Sequence, residues 1–581
     1  MMSRWLPIVS GGISILTTLA LMARDYPLVG HDFRYFIPRL IDTDLHLRLN
    51  GLAIQWYTPT FGGGIPAFPN PQHLQYSLVQ ALTFISDPWI AVLATTAIAI
   101  GLGFWGCYRI ANTNLGAGPH AATLAALFFV SCGFVIQHAI VGHVGFQLFP
   151  VAAVMLWTLI DRRLPDLSRG ALLGLLVTLT LYHGGGLILI LEAMAIAICL
   201  PMLVAILPQL LEWRSLGQTS AVAVLFAAFM SAPKVLSGMM LMRQFPRQVE
   251  ADPVVPLTQA AAGFVSQLVG VQSIAPVLMA LDEDPSRAYG VLVRLTGTRR
   301  LGVWELDTGL SPLVLVCLAI GAWWAWRAWR SARIDLAPIQ RAAIAVTVVG
   351  LWIMTEAALG QGLIFPIVKT LPVMNSLHVH PRFGAAAILP LALLAGAGVD
   401  RWLRTRPAAG IAMIAVTLLA PASYFALPSE MHQRNFNVSP SLNDAKSLRG
   451  TDASIDTLAA VTDAQALSFN ASSLKPYDPL FGYGNESFLP ETREGRIRVL
   501  SDGYWNMTNP AGLVFPEQNG LRKFERIHQA DRARLDQLLR RRQPDWNLPR
   551  SVVWATRIAL PALMLCLFAI AIGVRSSRAA R

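Results

Sequence analysis

The chain has 581 residues, 54% of them hydrophobic and only 14% charged, with a mean hydropathy of +0.49. That balance excludes a single soluble globule, because so few charged residues cannot cover so much apolar surface. The net charge of +12, from 46 Lys and Arg against 34 Asp and Glu, is read as a topology signal rather than a nucleic-acid footprint, because of where the arginines fall.

The first apolar stretch, 5–23, has no small-residue cleavage site before the polar Arg24-Asp25, so it reads as an uncleaved first helix. Further stretches of spanning length lie at about 87–107, 119–137, 147–160, 170–185, 187–208, 219–237, 311–329, 342–359, 384–400, 409–426 and 551–573, giving about twelve transmembrane helices in all. Loop charge sets the orientation. With the N-terminus inside, the cytoplasmic turns hold Arg109, the trio Arg162, Arg163 and Arg169, then Arg214, then Arg327, Arg330, Arg333 and Arg341, then Arg401, Arg404 and Arg406, and the tail Arg575, Arg578 and Arg581. The outer connections 138–146 and 182–186 contain no Arg or Lys. Trp323, Trp324, Trp326 and Trp329 form an interfacial belt at a cytoplasmic helix end.

The expected fold class is therefore an all-α polytopic membrane protein with a small α+β domain outside the membrane. A transmembrane module, 1–426, carries outer loops 24–86 and 238–310; the segment 427–550 is the α+β domain; and 551–581 is the last helix with a basic tail. All five cysteines fall in or beside spans, so no disulfide framework is expected. Neither Cys-x-x-Cys nor a Gly-Lys-Ser/Thr run occurs, which removes the sequence warrant for a structural zinc site or an ATP-driven pump.

Asp32, in Gly30-His31-Asp32-Phe33-Arg34, opens the first outer loop at the membrane surface and is the candidate general base, with Asp25, Asp42 and Asp44 as neighbouring alternatives. Arg382 stands on the outer side just before a span, against the positive-inside tendency, and its fork suits a phosphate; a snorkelling anchor is the other reading. His378 and His380 stand beside it. His138 and His143 share one short outer loop, and with Glu305 beside Trp304 they are candidate substrate-binding residues. Trp56 and Tyr57 offer ring faces for a sugar or anchors at the interface. Five-residue His spacing is not a recognised metal signature, so no metal is expected from the histidines.

An acidic residue opening the first outer loop of such a chain resembles the integral-membrane glycosyltransferases of the GT-C fold. Val141-Gly142-His143, His380-Pro381-Arg382-Phe383 and Tyr477-Asp478-Pro479-Leu480-Phe481-Gly482-Tyr483 are similar to bacterial membrane proteins of the YfhO-like, mannosyltransferase-related group. The resemblance implies an inverting transferase of the bacterial inner membrane, with both termini cytoplasmic and the large loops periplasmic. It would move a sugar from a polyprenyl-phosphate donor to a lipid or glycan acceptor, with Asp32 as base and Arg382, His380 and His378 on the donor phosphate. Some members use a divalent cation (Mg or Mn) on acidic ligands, for which Asp282-Glu283-Asp284, or Glu305 with Asp307, are the candidates. A secondary transporter or lipid flippase, which would place ionisable residues near helix centres where Glu192, Lys234 and Glu356 are the few within or near spans, and a non-catalytic scaffold presenting 427–550 are the competing classes.

The orientation has a direct test. A reporter fused after Arg581 is expected to be active only in the cytoplasm, and one inserted near Ser454 only outside; opposite labelling at either site would overturn it.

Overall fold

The computed structural model describes residues 2–210, 212–246, 256–296, 301–331, 336–370, 374, 377, 379–448, 454–478 and 492–579. Among them eleven helices are long and apolar enough to cross a membrane, from Trp5–Ala23 to Arg550–Ser577. The architecture is the expected one, a polytopic helical protein with small strands confined to the segments outside the spans.

The span count needs correcting in two directions. The stretch 147–160 lies within Val144–Ile160, where 3-10 turns at Val144–Phe146 and Phe149–Val151 precede a short helix, Ala152–Ile160. The stretch 170–185 belongs to Asp166–Tyr182, a helix of only 17 residues. Conversely, the expected outer loop 238–310 contains an apolar helix of 24 residues, Leu257–Ala280. It is not a straight rod, since Gly270 (φ 64°, ψ −178°) breaks it. Each half rises about 15–20 Å at about 1.5 Å per residue, short of the ~30 Å hydrocarbon core.

A second break parts Pro119–Val130 from Gly133–Val141. Helix ends leave N–H and C=O groups without partners, which is costly away from water. Here a turn from the chain ahead of helix Pro312–Arg330 supplies them: Gly133 N donates to Gly309 O (2.9 Å) and Phe134 N to Thr308 O (3.3 Å), while Ser131 O accepts from Gln272 Nε2 at 2.6 Å. Asp307 closes the knot. Its carboxylate accepts from Val271 N at the Gly270 break (3.2 Å), from Gln137 Nε2 (2.8 Å) and from Tyr424 OH (2.8 Å). A Cβ at Gly133, Gly270 or Gly309 would lie 2.6, 2.2 or 2.5 Å from Asp307 Oδ1, so only glycine fits at all three places.

Outside the spans, the segment 427–550 is built onto the first loop. Leu28–Gly30 pairs antiparallel with Arg434–Asn437, and Gly62 N and Ser473 N exchange bonds with Ser473 O (2.6 Å) and Thr60 O (3.0 Å). The segment mixes short helices with a sheet of Thr457–Ala459, Ser472–Ser473 and Gly495–Arg496 and a ladder of Tyr504–Thr508 with Arg526–His528. At the junction the buried Arg39 of helix Phe33–Asn50 reaches Asp463 Oδ2 (2.9 Å) and Asp478 Oδ2 (3.3 Å), its guanidinium over the rings of Tyr35 and Phe61.

Removing one partner of such a buried pair leaves charge uncompensated, so Arg39→Ala is expected to cost about 3–5 kcal/mol and to lower the thermal midpoint in detergent. Arg39→Lys keeps the charge but not the fork and should fall between. An unchanged midpoint for both would show that the junction does not depend on this residue.

Burial pushes the Asp307 carboxyl up, against the three hydrogen bonds it accepts, from the ordinary 3.8 to about 6. A raised folded-state value means that the fold favours the proton. The contribution is full below about pH 4 and is lost as pH rises through about 6. Relative to Asp307→Asn, which cannot ionise, the native chain's thermal midpoint should therefore fall between about pH 4 and 7 and then run parallel. Parallel curves throughout would show that Asp307 is already ionised at the acid end.

Candidate active site

Two Gly-His dipeptides, 30–31 and 142–143, meet at Asp32. Helix Gly133–Val141 ends at Gly142 in the left-handed region (φ 99°), where a Cβ would lie 2.7 Å from Phe33 N. A Cβ at Gly30 would lie 2.3 Å from Ile140 O. Two glycines thus let the first loop lie directly on the helix end, with Asp32 N donating to Val141 O at 3.1 Å. Asp32 opens helix Phe33–Asn50 without spending its side chain on a cap.

Its carboxylate is held from three sides. His31 Nε2 lies 2.9 Å from Oδ1, His143 Nε2 lies 2.5 Å from Oδ2, and Tyr477 OH donates to Oδ1 at 3.3 Å. Burial alone would raise its proton affinity; the two imidazoles outweigh that and hold the carboxyl well below the usual carboxylate range. The pairing with the two imidazoles thus favours the anionic form of Asp32. The second nitrogen of each imidazole, Nδ1, has no hydrogen-bond partner.

The carboxylate separates two environments. On the Oδ1 side, the ring of Tyr477 carries the Arg34 guanidinium at 4.4 Å, and Arg34 Nε donates to His31 O at 3.1 Å. Tyr477 and Arg34, with Lys475, Thr462 and Asn435, line a cavity of about 320 Å³. On the Oδ2 side, His143 packs against His138 (ring centroids 4.9 Å apart), and both meet Phe146. His138 Nε2 is 3.8 Å from Glu305 Oε2. Arg382, over the Phe146 ring at 4.9 Å, grips Glu305 through Nε (2.7 Å to Oε2) and through Nη2 to Oε1. Burial would raise the Glu305 carboxyl, but Arg382 and His138 hold it well below the usual range.

Sequence-expected residues far apart in the chain thus converge: Asp32, His138, His143, Glu305 and Arg382 form one cluster. Arg382 spends its fork on a carboxylate of this chain. His380 lies elsewhere, its ring 5.1 Å from that of Phe365 and pressed on Gly360; His378 is outside the described residues. Trp56 packs on Phe68 and Phe515, and Tyr57 is fully buried edge-on to Trp546, both in a core of the outer segment. Asp25 pairs with Arg434 and Ser429, and Asp44 with Arg48. His31, Tyr477 and Trp304, whose ring faces His31 at 5.5 Å, belong to the cluster and were given no site role from sequence, although the repeated Gly-His dipeptide was a visible signal for His31.

The all-oxygen cation site that the resemblance suggests does not fit these side chains. Glu283 pairs with Arg287 and Asp284 bonds Ser286 on an exposed turn, while Asp307 is committed to the helix breaks and not to Glu305. Two of the three in-span ionisable residues are likewise structural. Lys234 donates to Phe68 O, Asn70 O and His73 O (3.0, 2.7 and 2.9 Å), pinning the first outer loop, and Glu356 accepts from Ile364 N, Phe365 N and Trp352 Nε1.

No family model matches the chain, and no curated protein does. Among solved structures it aligns with cryo-EM structures of the arabinofuranosyltransferase AftD from Mycobacteria. One alignment has 15% identity and a TM-score of 0.40, covering 78% of this chain and 29% of that one. A single-residue variant of the same protein aligns at 15% identity and a TM-score of 0.43, covering 82% and 33%. This chain spans about a third of the length of those structures.

Proposed function

We propose that the chain is an inverting glycosyltransferase of GT-C type that takes a sugar from a polyprenyl-phosphate donor and passes it to a lipid or glycan acceptor at the outer face of a bacterial inner membrane. The observation that supports this reading is an anionic Asp32, paired with His31, that also bonds Tyr477, a wall of a cavity lined as well by Arg34, Lys475 and Asp463, close to the ends of membrane-spanning helices. The cavity cations suit the donor's phosphate, Arg34 by its fork and Lys475 as a point charge.

The acceptor hydroxyl oxygen forms the new bond to the anomeric carbon as the bond from that carbon to the phosphate oxygen breaks. The departing lipid phosphate takes the electron pair and so gains one unit of negative charge beside Arg34 and Lys475. The acceptor's proton goes to the Asp32–His31 pair. Of the pair the imidazole is the stronger base, so it receives the proton at Nδ1, and the carboxylate orients the ring and stabilises the imidazolium through Nε2–H. This assigns Asp32 a positioning role one step back from the base that sequence alone suggests. A carrier reading has less support, since Lys234 and Glu356 are spent on backbone groups.

General-base contributions are typically about 10²–10⁴-fold, so Asp32→Asn and His31→Gln should each lower turnover on that scale, with donor binding retained. Because the two act as a unit, the double variant should be little worse than either. Arg34→Gln and Lys475→Gln should instead raise the KM for donor, while Asp25→Asn and Asp44→Asn stay active. The assay is transfer from a panel of radiolabelled polyprenyl-phosphate sugars by purified protein. Normal turnover in Asp32→Asn would sink the reading.

A further inference from the structure

On the other side of Asp32, we infer that His138, His143 and Glu305 form a binding site for a first-row divalent cation of borderline softness, of the Zn²⁺ class. The three residues each offer a ligand atom, and those atoms lie within 4.8 Å of one another. About 3.4 Å separates ligand atoms around a tetrahedral ion bound at about 2.1 Å, so closing the site takes side-chain movement of the order of 1 Å rather than rebuilding.

The hydrogen bonds around the cluster point its lone pairs. His138 Nδ1 lies 3.0 Å from the Phe134 carbonyl, which can only accept, so the proton is on Nδ1 and the lone pair on Nε2. That Nε2 is buried, has no hydrogen-bond partner, and has Glu305 Oε2 at 3.8 Å. His143 gives its Nε2–H to the Asp32 carboxylate, which leaves its lone pair on Nδ1, also without a partner. Glu305 is an anion oriented by Arg382. Each prospective ligand is thus held from behind by a second group: His138 by a backbone carbonyl, His143 by a carboxylate, and Glu305 by a guanidinium. Such outer partners fix ring orientation and tautomer in metal centres. Burying two imidazole nitrogens without a hydrogen-bond partner beside a carboxylate is otherwise costly.

The donor set selects the metal. Two nitrogens and one carboxylate suit Zn²⁺, Co²⁺ or Fe²⁺ and disfavour Mg²⁺, which takes oxygen. Three protein ligands leave coordination positions open, as in catalytic rather than structural sites. A cation there would bring positive charge within one residue of the Asp32 carboxylate.

The test is Co²⁺ binding to the full-length protein in detergent after chelator treatment, read by ligand-field absorption and by metal content. One Co²⁺ per chain with a nitrogen-ligand spectrum, displaced by Zn²⁺ and not by millimolar Mg²⁺, is expected. His138→Ala and Glu305→Gln should each weaken binding by at least tenfold. Asp32→Ala, which leaves all three ligands in place, should weaken it about 10–100-fold through the loss of the group behind His143. No stoichiometric Co²⁺ in the native chain, affinity unchanged in His138→Ala and Glu305→Gln, or ready displacement by Mg²⁺ would each overturn the assignment. Should the ligand variants fail to fold, Asp32→Ala and the Mg²⁺ competition still decide it. The readout needs no sugar donor, so a chain that binds Co²⁺ but transfers nothing fails only the transferase reading. One that transfers sugar without binding Co²⁺ fails only this one.

Discussion

Breaking a helix in an apolar surrounding obliges the chain to supply new partners for the freed backbone groups, and in this protein one carboxylate discharges much of that obligation. Asp307 answers the Gly270 break through Val271 N, and the turn that follows it answers the break before Gly133. Gln137 and Tyr424 complete its shell, and His432 extends the network by lying 2.6 Å from Gln137 Oε1. The location of Glu305 follows. It stands two residues before Asp307 in the chain, and His138 follows Gln137 on the opposing helix. Once Gln137 meets Asp307, His138 and Glu305 are brought face to face. The polar cluster inherits its geometry from the repair of two helix breaks.

Much of the cluster was legible because each member violated a local expectation. Asp32 and Arg382 are charges at a membrane entry, Glu305 is an acid beside a tryptophan, and His138 and His143 fall in a stretch without lysine or arginine that reads as an outer loop, although His138 in fact lies in the last turns of helix Gly133–Val141. Their convergence was not legible. It depends on contacts such as Tyr477 to Asp32, 445 positions apart, which no local pattern encodes. Some spans were misplaced for a related reason. Hydropathy averages over a window and does not see that Pro150 and two 3-10 turns shorten 144–160. Arg382 shows the limit of arguing from residue type. A fork suited to phosphate is equally suited to a carboxylate, and the chain supplies the carboxylate itself.

The two oxygens of Asp32 also explain why a carboxylate, and not an amide, belongs at this position. Oδ1 accepts from His31 and Tyr477, and Oδ2 accepts from His143. Both imidazoles present Nε2–H inward, so both sides need an acceptor at once, and only an ionised carboxylate offers one on each side. An asparagine keeps one acceptor and turns an NH₂ toward the other ring, which must then flip or lose its bond. The residue is thus a junction between the cavity of Arg34, Lys475 and Asp463 beside Tyr477 and the histidine–glutamate side beyond His143. Its low proton affinity is what lets it serve both, because a protonated Asp32 would release one ring. Loss of its charge disturbs the two sides together, whereas a change at His31 or at His138 acts on one side alone, and this asymmetry allows the roles of the two halves to be separated.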